Sequence, residues 1–237
     1  MVRISVTAMA IGAALLTAAA AADDAKVCAE SGGAPGPVIA ACTRVIASGQ
    51  WTGKDLAWAY ANRGNAQLSK GATVKAIEDF SEALKLDPSD GNTFYNRGIA
   101  FMDKGDLAHA GKDFDSAIKL NPGDAGALGS RCYVRAVQGG DLNAALDDCN
   151  KSLKLEANGY TNDSRGLVYL KLSRFEEARK DFDVALKSDA KSASSLFGRG
   201  VAKRHLGDAA GGDKDIAAAK AIDANIAKTY NSRGVTP

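Results

Sequence analysis

Asn62-Arg63-Gly64 returns as Asn96-Arg97-Gly98, and its arginine recurs in Arg131-Cys132, Arg165-Gly166, Arg199-Gly200 and Arg233-Gly234. The spacing between successive arginines is 34 residues throughout. A fixed period of this size marks a solenoid, in which each unit is too small to bury its own apolar face and stacks on its neighbours. Working outward from the motif gives five units, 57–90, 91–124, 125–158, 159–192 and 193–226, preceded by a half-unit at 23–56 and followed by a partial one at 227–237.

Each unit carries two helical patterns of about a dozen residues, with apolar positions recurring at three and four. Gly105-Asp106, Gly140-Asp141 and Gly207-Asp208 divide the two halves, glycine ending one helix and aspartate capping the next. Pro88 and Pro122 break the chain before the following unit. In the half-unit, Pro37 suits a helix start and Gly49 a helix stop.

The register has a small residue midway along the first helix (Gly64, Gly98, Gly166, Gly200) and alanine opening the second (Ala76, Ala110, Ala178). An aromatic follows four residues later (Phe80, Phe114, Phe182). This pattern resembles the tetratricopeptide repeat over residues 57–226. The resemblance implies an all-α, right-handed α-solenoid of five helix hairpins, with an N-terminal half-repeat and a C-terminal capping helix. The third unit departs from it, with one extra residue in its turn. An arginine in each of four units, Arg63, Arg97, Arg165 and Arg199, precedes an aspartate by sixteen residues: Asp79, Asp113, Asp181 and Asp215. An ion pair within each unit is expected, against the alternative of two solvated charges.

The repeat register also chooses among the three connectivities open to four cysteines. Cys132 stands where sister units have glycine, and Cys149, after the extra residue, where they have phenylalanine, so the two should face each other across the hairpin. Cys42 aligns with the same aromatic position in the half-unit and Cys28 lies on the segment before it. Bridges Cys28–Cys42 and Cys132–Cys149 are therefore predicted. A metal or redox site lacks support, since no Cys-x-x-Cys occurs and the two histidines, His109 and His205, lie in different units.

Met1-Val2-Arg3, the apolar run Ile4 to Leu16 and the small residues Ala18 to Ala22 read as a signal peptide over 1–22, cut near Ala22. An uncleaved anchor is the competing reading, though the second half of the run is mostly alanine. Cleavage leaves 29 basic and 28 acidic side chains, a balance that points away from nucleic acid and anionic lipid. A periplasmic or secreted location is therefore expected, with no stable membrane insertion after cleavage.

No phosphate loop, nucleophile elbow or His-Glu-x-x-His helix occurs, so no catalytic residue, metal or cofactor is expected and the chain reads as non-enzymatic. The Lys203-Arg204-His205 cluster reads as a solvated face. The resemblance implies instead a concave groove lined by the first helices, which holds a protein or peptide partner. Positions on one face place Trp58, Tyr95, Tyr133, Tyr160 and Phe197 there, one aromatic per unit, with Asn65, Asn92, Asp163 and Arg204 for orientation. Packing of those aromatics between helices is the competing reading. Some family members grip a terminal carboxylate with paired asparagines and basic residues. Asn65 and Asn96 match, but the basic positions carry Ala61, Gly126 and Ser130, so no such clamp is expected. Self-association through terminal helices and binding of an envelope polymer are the other partner classes.

Overall fold

Residues 22–30 and 33–236 are described in the computed structural model of the chain. The leader expected over 1–22 lies outside the described residues apart from Ala22. Among the described residues the secondary structure is helical throughout, with no strand, and no helix is long and apolar enough to cross a membrane. The chain divides into two compact units, Met1–Asp106 and Leu107–Pro237.

The first unit holds α1 (22–29), α2 (Pro35–Ala47), a short 3-10 turn (Gly53–Leu56), α3 (Ala57–Ser69), α4 (Thr73–Leu86) and α5 (Gly91–Asp103). Cys28 and Cys42 join α1 to α2 with Cα atoms 4.8 Å apart, and both are fully buried with Val38, Ala41 and Val45. The second unit holds α6 (Leu107–Leu120), α7 (Ala125–Gln138), α8 (Leu142–Leu155), α9 (Gly159–Lys171), α10 (Phe175–Ser188), α11 (Ala193–His205), α12 (Ala209–Ile222) and the short α13 (Ile226–Ser232). From α7 to α12 each helix packs on the next, so that consecutive helices form hairpins that stack. Together these features make the fold an α-solenoid.

Two register positions decide how tightly each hairpin closes. A Cβ on Gly64 would lie 2.7 Å from the ring of Phe80, and one on Gly166 would lie 2.8 Å from that of Phe182. Glycine is required there because any side chain would displace a buried ring, and burying such a ring stabilises by about 1.5–3 kcal/mol. In the third repeat the same two positions are Cys132 and Cys149, bonded with Cα atoms 5.4 Å apart.

The turn that ends each first helix is equally periodic. Gly71, Gly105, Gly139, Ser173 and Gly207 all have positive φ and fall 34 residues apart. In four of them the next residue's N–H reaches five residues back, as in Ala72 to Gln67, Asp106 to Phe101, Arg174 to Tyr169 and Asp208 to Lys203. This is the Schellman termination. The third repeat differs: the left-handed residue is Gly139, whose N–H bonds Arg135 O, and Gly140, expected to be the terminating glycine, is the extra residue.

The arginine of the repeat is bound on two sides. Arg63 donates to Asp79 at 2.9 and 2.7 Å, Arg165 to Asp181 at 2.6 and 2.8 Å, and Arg199 to Asp215 at 2.7 and 2.8 Å. In the third repeat the extra residue shifts the partner to Asp148, which accepts from Arg131 at 2.8 and 2.6 Å and from Arg135 at 2.6 Å. All four carboxylates are buried, so these are paired charges and not solvated ones. The remaining Nη1 of each arginine reaches the preceding repeat: Thr43 from Arg63, Ser81 from Arg97, Asp115 from Arg131, Asn150 from Arg165 and Asp183 from Arg199. One side chain thus closes its own hairpin and ties it to the one before.

Candidate functional site

In the second unit the first helices α7, α9 and α11 present one face, and the chain's own C-terminal segment lies on it. Instead of extending the stack as the opening of a sixth repeat, α13 ends at Ser232. Gly234, at positive φ, then turns the chain, with Gly234 N–H on Asn231 O and Val235 N–H on Tyr230 O, both at 3.0 Å. Pairing off the Tyr230 and Val235 side chains across this turn is what the Schellman geometry favours. Both are buried.

Three anchors hold the segment. The fully buried Tyr230 donates its hydroxyl to Ser194 O of α11 at 2.9 Å and sets its ring 4.7 Å from that of Phe197. Arg233 crosses to α7, where it donates to the Tyr133 hydroxyl at 2.9 Å and lies 5.4 Å from the centre of that ring. The Tyr133 ring in turn leans on Tyr160 of α9 at 6.2 Å. Beneath them Asp163 accepts hydrogen bonds from the hydroxyls of Ser195 and Ser194.

The electrostatics are set by burial. Desolvation pushes the Asp163 carboxyl above its ordinary value, against the Ser195 and Ser194 hydrogen bonds and the positive Arg233, which pull it down. Burial and the Asp163 charge push the Tyr230 phenol far up, so it stays a neutral donor. Burial, with Arg233 nearby, lowers the Lys171 ammonium, which donates to Ala136 O at 2.7 Å and so ties α9 to α7.

The residues expected to line a groove therefore divide. Tyr133, Tyr160, Asp163 and Phe197 come together in one place. Phe197, however, is 0 % exposed: it belongs to the buried core of the second unit, with the Tyr230 ring packed against it, and is not an accessible anchor. Tyr160 is the accessible aromatic, 48 % exposed. Arg204 does not join them; it sits exposed at the end of α11, 3.6 Å from Asp213, with its stem against Gly212. Its neighbours are not simply solvated either, since Lys203 pairs with Asp215 at 2.9 Å and His205 stacks on Phe175 at 4.1 Å. In the first unit Trp58 is half-buried, edge-on to Trp51 at 6.0 Å, in an open cleft that also includes Lys54, Asp87 and Asp90. Asn65 and Asn92 are exposed and Tyr95 is half-buried on α5. Among the described residues no cluster of histidine, cysteine and carboxylate side chains is placed to hold a metal.

Sequence reasoning misses Tyr230, Arg233 and Val235 because their Arg-Gly pair reads as another repeat opening. The available signal lies just downstream of that pair: Val235-Thr236-Pro237 is poor helix material beside Ile99-Ala100-Phe101 in the second repeat.

Sequence profiles described as tetratricopeptide repeat match residues 57–90, 92–124 and 164–225. Among curated proteins no sequence matches the chain. Several solved structures share the fold. YrrB, described as a tetratricopeptide-repeat protein with an unusual peptide-binding site, aligns with a TM-score of 0.59 at 18% identity, covering 82% of this chain and 98% of that one. A tetratricopeptide repeat protein from Parabacteroides merdae aligns with a TM-score of 0.65 at 16% identity, covering 84% and 78%. MamA from Desulfovibrio magneticus aligns with a TM-score of 0.58 at 19% identity, covering 71% and 96%. These identities speak for fold alone. The 34-residue register, the stacked hairpins and the three profile matches together make this chain a member of the tetratricopeptide-repeat family.

Proposed function

We propose that the chain is a non-enzymatic protein-interaction module that holds a peptide segment of a partner on the face of α7, α9 and α11. The observation that carries this reading is a polypeptide already seated there, with its tyrosine buried and its arginine bonded to Tyr133. A surface that satisfies both the ring and the guanidinium of one peptide segment has the chemistry to hold another. The mechanism is non-covalent: aromatic burial gives affinity, and Ser194, Tyr133 and Asp163 orient the ligand. The description of YrrB as having a peptide-binding site agrees with such a use of the fold. Two buried disulfides favour an exported, oxidising compartment, and we assign the protein to the periplasm on that ground together with the leader pattern.

A peptide array read with wild type and with the Tyr133→Ala/Tyr160→Ala variant tests the reading. Peptides bound by the first and not by the second, with both proteins equally helical, support it. An array in which every binder treats the two alike removes the site from this face. Fractionated cells test the location: thiols that react with maleimide before reduction would place the chain in a reducing compartment.

A further inference from the structure

Resting on the reading just given, we propose that residues 226–236 are a built-in pseudo-ligand that gates the groove. The partner that replaces them carries the same recognition pattern: an aromatic residue, an arginine three positions later and a small aliphatic residue two beyond that. In this chain the pattern is Tyr230, Arg233 and Val235.

Four observations lead there. First, the segment contacts the site as a ligand would, through separate anchors on two helices. Tyr230 meets Ser194 and Phe197 on α11, while Arg233 passes on to Tyr133 on α7. Second, each anchor uses a site group that a partner could equally use. Ser194 O and the Tyr133 hydroxyl are acceptors, and the Arg233 charge lies close enough to pull the Asp163 carboxyl down against its burial. Third, the segment does little to hold itself together. α13 has seven residues and its first turn has no side-chain cap, far below the length at which an isolated helix persists in water. Its order comes from the face it lies on, where Ile226, Tyr230 and Val235 join the buried core, so what a displacing partner must replace is those contacts and not an internal structure of the segment. Fourth, the junction is short: α12 ends at Ile222, Asn225 N–H bonds the Asp223 side chain, and α13 begins at Ile226. A tether of this length keeps the segment at an effective concentration of the order of millimolar. A free peptide of similar affinity must therefore compete with it, and only a better match or a multivalent partner displaces it.

The pattern is specific for a physical reason. The tyrosine hydroxyl is buried and donates to a backbone carbonyl, so a leucine there would leave Ser194 O without that donor. The guanidinium spans a hydroxyl and a ring face at once, a geometry that an ammonium does not reproduce. The turn at Gly234 brings the aliphatic side chain back beside the tyrosine, so the partner needs glycine or asparagine between arginine and aliphatic residue.

The test uses the full chain. A fluorescein-labelled synthetic peptide of residues 224–237 is titrated by anisotropy into wild type and into Tyr230→Ala/Arg233→Ala. Tighter binding to the variant by about tenfold or more is expected, because its own segment no longer competes. A peptide with both anchor residues changed to alanine should bind neither protein. Equal binding to wild type and to a variant of unchanged helicity overturns the proposal. So does a concentration-dependent dimer of wild type that the variant abolishes, since the segment would then serve a second copy.

Hydrogen exchange in unmutated protein is the second measurement and does not depend on how the variant folds. Excess unlabelled peptide should speed exchange of the Gly234 and Val235 amides; unchanged protection means the segment is a permanent part of the core. The peptide array separates the two readings. Tyr133-dependent binding of other peptides, without binding of the 224–237 peptide, sinks the gate and leaves the groove function standing. Loss of all Tyr133-dependent binding sinks both.

Discussion

In the fourth repeat Gly166 leaves room for the ring of Phe182, while in the third the same two register positions carry Cys132 and Cys149, joined by a disulfide. A small residue facing a large one and two residues of middling size fill one slot, which is what close packing demands of any solution. The repeats differ elsewhere too. The fourth ends its first helix in a Schellman turn at Ser173, whereas the third has the extra Gly140 and a looser 5→1 closure at Gly139. The fourth pairs one arginine with Asp181; the third sets two on Asp148. Of these two repeats, the one with the irregular turn is the one with a covalent bond. A second cation does not follow the turn, since Lys203 joins Arg199 on Asp215 in the regularly turned fifth repeat. Regular turn geometry and a crosslink are alternative ways of holding a hairpin closed.

The largest expected effect comes from emptying the noncovalent slot. Phe182→Ala should cost about 3–5 kcal/mol, because the fully buried ring leaves a cavity that rigid neighbours cannot fill. Urea denaturation reads it. A cost near 1 kcal/mol would mean that the fourth repeat relaxes around the gap, and the slot would not be the common closure of the two hairpins.

Next come the charges. Asp181→Ala leaves Arg165 half-buried without its bidentate partner and should cost about 3 kcal/mol. Asp148→Ala strands two arginines and should cost more. Equal costs would make Arg135 a bystander. Asp215 of the fifth repeat adds a pH dependence. Burial alone would raise its carboxyl, but hydrogen bonds from Arg199 and Lys203 bring it below the ordinary value. The stabilisation from a depressed folded-state value is complete above the unfolded carboxyl value of about 4 and is lost as pH falls from there through the lower folded-state value. The penalty of Asp215→Asn, measured at neutral pH, should therefore shrink on acidification.

Breaking the crosslink is expected to cost about as much or slightly less. Cys132→Ala/Cys149→Ala frees a loop spanning 17 residues, worth about 3 kcal/mol in the chain-entropy account. Hydrogen exchange should show the loss concentrated on α7 and α8. A loss spread evenly over the second unit would mean that the bond does not compensate for the local turn.

Parts of this architecture are legible in the sequence and parts are not, for physical reasons. The Gly166–Phe182 and Cys132–Cys149 pairings emerge from a periodic register, because neighbours in a repeat array are set by sequence spacing. The Arg165–Asp181 pair is legible for the same reason. The third bond of that arginine, to Asn150 in the preceding repeat, is not, since its partner varies among threonine, serine, asparagine and aspartate from unit to unit. The groove suffers most. Its faces are periodic, but the segment covering Phe197 and engaging Tyr133 comes from 100 residues beyond that tyrosine and breaks the period it opens with. Phe197, an expected anchor, belongs instead to the buried core, with the Tyr230 ring of that segment against it.

The smallest expected effect sharpens the comparison at the turn itself. Ser173 has φ 58° at the register position where Gly71, Gly105 and Gly207 stand, making it the non-glycine residue of positive φ among the described residues. An L-residue pays about 1–2 kcal/mol for left-handed backbone. Glycine avoids that cost but loses about 0.4–1 kcal/mol through its freer unfolded chain. Ser173→Gly should therefore stabilise by about 0.5 kcal/mol, and Gly207→Ser should destabilise by a similar or larger amount. Both are read as shifts in denaturation midpoint at constant slope. If Ser173→Gly instead destabilised, the serine side chain would be contributing to the turn. The fourth repeat would then close by its own device, as the third does by its disulfide, and the regular turn would no longer be the alternative to a crosslink.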